Sequence, residues 1–136
     1  MITFVADTGG TRIKLALMRD GRILGQESFA ARSDEGLAPQ LPRIAQGLDS
    51  LCAAAQANRD ECTAFAMAFP SLIDSRTGRV LAAYGKYADA PHLDLPQWSR
   101  ETLRLPLIIE NDARMALLGE WQAGAGRGCD DLVMVT

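Results

Sequence analysis

Asp7-Thr8-Gly9-Gly10-Thr11, followed by Arg12 and Lys14, is the first stretch of this chain whose residue types could do chemistry. Its glycines let an anion approach backbone N–H groups, Thr11 adds a hydroxyl, Lys14 adds positive charge, and Asp7 can hold a magnesium ion directly or through its water. The same residues equally suit a plain hairpin turn beside a solvated carboxylate. A second stretch, Glu110-Asn111-Asp112, stands before a helical run. Asn or Asp there ordinarily caps the first helical N–H groups, and one of the two can cap while the other works. A carboxylate in that place is held ionised by the helix dipole, so Asp112 is poised to accept a proton from a hydroxyl whose oxygen attacks a terminal phosphate. The third stretch, Ala68-Phe69-Pro70-Ser71, ends an apolar run in a loop that suits one wall of a polar pocket, or simply a strand stopped by proline.

These stretches matter together only if the chain brings them together. Ile2 to Ala6 is β-prone and Arg12 to Met18 alternates polar with apolar residues, which predicts a hairpin turning at Gly9-Gly10, where glycine takes positive φ at little cost. Asp20-Gly21 is a second turn signal, and Arg22 to Phe29 returns as a third strand. Leu37, Leu41, Ile44, Leu48, Leu51 and Ala55 recur at helical spacing, with Pro39 and Pro42 placing the start near residue 39 or later. Thr63 to Phe69, closed by Pro70, is too short for a helix and suits a strand buried on both faces. Ile73-Asp74 and Val80-Leu81 make a small hairpin around Thr77-Gly78, and a short helix fits Gln97 to Leu103. Leu107 to Ile109 reads as another buried strand, Ala113 to Gln122 as a helix, and Leu132 to Val135 as a new strand without a partner.

This order predicts an α/β fold with a mixed five-stranded sheet: an antiparallel three-strand meander beside two strands reached by crossovers, with covering helices. In such sheets ligands gather beyond the carboxyl ends of strands, where all three stretches fall.

Composition narrows the function classes. A chain of 136 residues, 48% hydrophobic, allows one domain with a sizeable core. With 14 basic against 17 acidic residues there is no electrostatic footprint for nucleic acid. No polybasic tract suits a membrane surface, and the longest apolar run, Ala64 to Phe69, is far too short to span one. The start does not look like an export signal, so a cytoplasmic location is expected. Cys52, Cys62 and Cys129 form no Cys-x-x-Cys pair and His92 is the lone histidine, so no zinc site is read here and the thiols are expected to be packing groups. Gly124-Ala125-Gly126-Arg127-Gly128 follows a helix, not a strand, and reads as a hinge. Trp98 and Trp121 read as packing anchors, and His92 as a surface residue.

In this order and spacing, the stretches resemble the N-terminal half of the sugar-kinase family named for repressors, open reading frames and kinases (ROK), within the actin, hexokinase and heat-shock ATPase fold group. Asp7 to Lys14 is similar to the family's first phosphate motif. Ala68-Phe69-Pro70-Ser71-Leu72-Ile73-Asp74, with Thr77-Gly78-Arg79-Val80, resembles its Gly-x-Pro-Gly-x-Val-Asp loop and hairpin. Glu110-Asn111-Asp112-Ala113, then Leu118-Gly119-Glu120 and Gly124-Ala125-Gly126, resembles its Asn-Asp segment and following helix. Asp131 to Thr136 is similar to the strand that runs into a second glycine-rich phosphate turn. The resemblance implies an actin-like ATPase lobe, ribonuclease H-like in fold, over residues 1–123, with 124–136 a hinge and the first strand of a missing second lobe.

For the site, the resemblance implies Asp112 as general base and Asn111 as a sugar ligand, with Glu110, Pro70 and Ser71 also on the substrate side. Asp7, Gly9, Gly10, Thr11 and Lys14 become the ATP phosphate end, with Asp7 holding Mg2+ directly or through water. The implied function is ATP-dependent phosphorylation of a sugar hydroxyl, as in a glucokinase or an N-acetylhexosamine kinase, by the complete protein; this chain alone is expected to be inactive. The alternative is a non-catalytic sugar-sensing or interaction module on the same scaffold. Sugar and ATP are the expected partners, with neither nucleic acid nor membrane, and zinc is confined to the missing half. A homodimer paired through an open edge near Val133 is a further expectation to test. Ala68 and Ser71 stand where the family has loop glycines, and are expected to narrow the sugar pocket or to bar a conformation that glycine allows.

Overall fold

The computed structural model describes residues 1–135. β1 (Ile2–Thr8), β2 (Arg12–Arg19) and β3 (Arg22–Ala30) form the meander. Alternation drives it: Ile2, Phe4 and Ala6 of β1 and Ile13, Leu15 and Leu17 of β2 are buried on one face. Asp20 and Gly21, both at positive φ, close the β2–β3 turn with the torsions a two-residue hairpin loop requires. Gly9 and Gly10 differ from expectation, since neither takes positive φ. Close approach of backbone excludes a side chain at Gly9, whereas at Gly10 the flexible end of Lys86 fills the space. A Cβ on Gly9 would lie 2.9 Å from the Arg12 carbonyl oxygen, and one on Gly10 would lie 2.6 Å from Lys86 Cε.

A short 3-10 turn, Ala38–Gln40, leads into α1 (Leu41–Ala54), so the prolines set the helix start as expected. α1 buries Leu41, Ile44, Leu48 and Leu51 against the meander, and comes so near that a Cβ on Gly47 would collide with Leu15. The chain continues through β4 (Cys62–Phe69), the hairpin β5 (Ile73–Asp74) and β6 (Arg79–Val80), and α2 (Leu95–Trp98), which widens into a π-type turn over Ser99–Leu103. β7 (Leu107–Asn111) and α3 (Asp112–Ala123) follow. The five-stranded sheet runs β3-β2-β1-β4-β7, with β1, β4 and β7 parallel, as predicted. No helix among the described residues is long and apolar enough to cross a membrane.

Register fixes the edge that matters. Asp7 lies opposite Ala68, and Ala68 lies opposite Glu110, so the tips of the three parallel strands form one row.

Three expectations are corrected. β4 is not buried on both faces: Phe65, Met67 and Phe69 are buried, whereas Ala64, Ala66 and Ala68 are only half-buried and Ile108 of β7 is exposed. The helices favour one face, where Phe4 stacks on Phe65 at 5.1 Å and Phe65 meets Trp98 edge-on at 6.2 Å. α3 reaches the other face only at the strand tips, where Met115 and Ala116 neighbour Asp7 and Ala68. Leu132 to Val135 forms no strand, and Thr136 lies outside the described residues. A strand exists through its ladder, and no described strand pairs with this segment. The tail instead turns back at the glycines, with Gly126 packed between Trp121 and Leu132 and the Trp121 indole donating to the Cys129 carbonyl at 2.9 Å. Cys52 and Cys62 are buried packing groups, but Cys129 is exposed.

Candidate active site

The β7–α3 corner is built by its own side chains. Asn111 caps α3, its Oδ1 accepting from the Arg114 N–H at 3.1 Å, while its Nδ2 donates to the Ser71 carbonyl at 3.0 Å. Both ends of this amide therefore hold the corner together. Asp112 is half-buried; Oδ1 accepts the Ala113 N–H at 2.8 Å, and Oδ2 has no hydrogen bond among the described residues. One residue caps and its neighbour keeps a free oxygen. Glu110 Oε1 accepts from the Asn111 N–H at 2.7 Å and from the Arg114 guanidinium at 3.4 Å.

The loop after β4 is fastened in turn. The Ser71 hydroxyl donates to the Ala82 carbonyl, and its N–H donates to the Phe69 carbonyl at 2.9 Å. Neither Ala68 nor Ser71 takes positive φ, so the backbone here is one that any residue adopts. Replacement of a glycine thus changes space, not torsion. A cleft of about 400 Å³ is lined by Pro70, Ser71, Tyr84, Asn111 and Asp112, with Glu110 at its side. Asp112 also lines a groove of about 470 Å³ together with Asp7 and Ala68. It is the shared wall of the two.

The β1–β2 turn is held from outside. Thr8 is buried and its hydroxyl donates to the Ala68 carbonyl at 2.5 Å, tying the tip of β1 to that of β4. The Gly9 carbonyl accepts from the Tyr87 hydroxyl at 2.7 Å, and the Gly10 carbonyl accepts from the Ser33 hydroxyl at 2.8 Å. The Thr11 carbonyl accepts from the Ala31 N–H at 2.9 Å. With those carbonyls engaged, the N–H groups of Gly10 and Thr11 have no hydrogen-bond partner among the described residues. Free N–H groups on a glycine turn are the chemistry of anion binding. Lys14 Nζ lies 3.4 Å from Asp7 Oδ2 with both side chains well exposed, an ion pair worth little in water and easily redirected. Tyr87 is fully buried, and burial first, then the Asp7 carboxylate, push its phenol up to about 12. It remains a donor at any ordinary pH.

The sequence-predicted residues are thus gathered at one edge, with Asp7 and Asp112 lining one groove and Pro70, Ser71, Glu110 and Asn111 around the adjoining cleft. Gly9, Gly10, Thr11 and Lys14 sit at the β1–β2 turn beside Asp7. Thr8, Ser33 and Tyr87 escaped the sequence reading. Thr8 had a signal, since it continues the buried alternation of Ile2, Phe4 and Ala6. Ser33 and Tyr87 had none, because both lie in irregular chain. Among the described residues no cluster of three or more His, Cys, Asp or Glu forms a metal cage.

The sequence profile described as the ROK family matches residues 3–136. The chain belongs to the ROK family. It is 30% identical over 132 residues to a glucokinase of Halalkalibacterium halodurans, covering 96% of this chain and 39% of that protein. It is 31% identical over 130 residues to a β-glucoside kinase of Klebsiella pneumoniae, covering 94% and 40% respectively. Among solved structures, a ROK glucokinase of Streptomyces griseus, determined with glucose and AMPPNP, superposes with a TM-score of 0.79 at 26% identity. That match covers 96% of this chain and 39% of the glucokinase. The chain therefore spans about two fifths of the length of its ROK relatives.

Proposed function

We propose that this chain is the acceptor-binding lobe of an ATP-dependent sugar kinase, with residues 1–123 forming the actin-like lobe and residues 124–136 leading into a second. The observation that carries this reading is the groove lined by both Asp7 and Asp112, which shares Asp112 with the cleft of Pro70, Ser71, Glu110 and Asn111. A sugar bound in the cleft presents a hydroxyl to the free Oδ2 of Asp112. As the hydroxyl oxygen of the sugar bonds to the terminal phosphorus and the bond to the leaving diphosphate breaks, Asp112 takes the hydroxyl proton. Asn111 and Glu110 orient the acceptor, while Gly9, Gly10 and Thr11 cradle the transferred phosphate and Lys14 exchanges its loose contact with Asp7 for phosphate oxygens.

Mg2+ fits this donor set as an ion bound by few protein ligands. Asp7 is one half-exposed carboxylate, and magnesium ordinarily keeps several waters while taking one or two carboxylates and substrate phosphates. Bound through Asp7, it would neutralise phosphate charge. Zinc has no place in this lobe under the reading, and nucleic acid and membrane are not partners. ATP as donor and free thiols both suit a cytoplasmic protein, whereas the expected homodimer loses its proposed edge near Val133, since Leu132 to Val135 forms no strand.

The test is a chimera joining this chain to the remaining part of the Halalkalibacterium glucokinase. Glucose-dependent ADP release is expected, falling ~10²- to 10⁴-fold in Asp112→Asn with glucose affinity retained. Full turnover in that variant would remove Asp112 from its role. Glucose binding by the chimera without any ADP release would favour a sensing module instead.

A further inference from the structure

Lys86 stands outside every motif of the chain, in irregular backbone after the small hairpin, yet it reaches the β1–β2 turn. A Cβ built on Gly10 would lie 2.6 Å from Lys86 Cε, 2.7 Å from Nζ and 2.8 Å from Cδ. The ammonium end of this side chain therefore occupies the space that a side chain at residue 10 would fill. It is not placed there by a carboxylate, for no salt bridge to Lys86 exists among the described residues.

Backbone geometry delivers it. Gly85 and Tyr87, the residues on either side, take φ of 74° and 52°, and for a bulky aromatic the second value is an outlier that its surroundings must impose. Those surroundings are visible: the Tyr87 N–H donates to the Ser33 carbonyl at 2.8 Å, the Tyr87 ring packs on Phe69 at 5.3 Å, and its hydroxyl reaches Gly9 at 2.7 Å. Tyr87 is thereby turned into the core and Lys86 outward over the turn. Left-handed strain spent on holding an unpaired cation over free N–H groups points to an anion.

We propose that Lys86 is a phosphate-binding residue, its ammonium closing over an oxyanion seated on the N–H groups of Gly10 and Thr11. The inference rests on the reading that this turn holds the phosphates of the nucleotide. It adds a cation from a segment 76 positions away from Gly10, beside the turn's own Lys14 and Arg12, the latter held on the Ser28 hydroxyl.

The experiment is an amide-resolved NMR titration of the full chain with tripolyphosphate and, separately, Mg-ATP, comparing wild type with K86Q and K86R. Wild type is expected to shift the Gly9, Gly10 and Thr11 amides. K86Q is expected to bind about fivefold to tenfold more weakly, with a shallower dependence on salt, while K86R stays near wild type. The unliganded spectra should agree away from residue 86, since the side chain is exposed and unpaired. Equal affinity and equal salt slope in K86Q, with the turn amides still shifting, would overturn the role of Lys86 and leave the phosphate turn standing. No shift at the turn in wild type would overturn both.

Discussion

The phenol of Tyr87 donates to the carbonyl of Gly9 at 2.7 Å, so a residue 78 positions along the chain holds the first glycine of the β1–β2 turn. Tyr87→Phe keeps the ring on Phe69 and removes only this bond, leaving a carbonyl without its donor. The expected cost is ~1–2 kcal/mol of stability in urea denaturation, accompanied by weaker tripolyphosphate binding. An unchanged midpoint with unchanged binding would show that the bond is dispensable.

Alkaline stability should report on the same hydroxyl. Its folded pKa is pushed up to about 12, mainly by burial and then by Asp7, against a reference near 10. Below the lower value both states are protonated and the stabilisation is complete. From there to about 12 the unfolded chain sheds its proton first, and stability falls. The Cys62 thiol, pushed up to about 11 by burial and by Cys52, adds a similar decline that starts near 9. Urea midpoints at pH 8.5 and 11 should therefore separate more for wild type than for Tyr87→Phe; equal separations would contradict this account.

Asn111 serves the corner twice, and two substitutions divide its roles. Asn111→Ala loses both the helix cap and the tie to Ser71, and is expected to cost ~1–2 kcal/mol. Asn111→Asp retains a capping oxygen and loses the Nδ2 donor, so its melting temperature should fall between those of wild type and the alanine variant. Identical melting of the two variants would mean that the cap contributes nothing.

A side chain added at residue 10 or at residue 47 meets another residue, with different consequences for folding. A methyl at residue 47 meets the buried Leu15 and should cost ~1–3 kcal/mol. At residue 10 it meets the exposed, flexible end of Lys86, so Gly10→Ala should leave stability within ~0.5 kcal/mol while displacing that lysine. Comparable melting temperatures for both variants would refute the distinction.

The elements and the strand-tip edge were readable because alternation marks β2, helical spacing marks α1, short apolar runs mark β4 and β7, and Asp20-Gly21 marks the turn into β3. So were Asp7, Asn111 and Asp112, which stand where strands end. What the sequence concealed was the support. Ser33, Lys86 and Tyr87 reach the β1–β2 turn from loops, through contacts that depend on tertiary packing and leave no spacing to detect. The torsions of Gly9 and Gly10 were misread for a related reason: the glycines answer crowding by Arg12 and Lys86, not a need for positive φ. The terminal strand was misread because an apolar run signals strand whether or not a partner lies beside it.

β4 joins hydrophobic core and cleft by strict alternation, with Phe65, Met67 and Phe69 facing inward and Ala66 and Ala68 facing the other way. Removing one residue between Phe65 and Phe69 would preserve composition almost entirely. With the strand tip held in place, everything upstream of the deletion would reverse its facing, and with the strand base held, Pro70 and Ser71 would retreat by ~3.3 Å from Asn111. Strand length is therefore as strict a requirement of this scaffold as any side chain on it, and sequences that keep the scaffold should accept insertions in the Tyr84 loop far sooner than in β4.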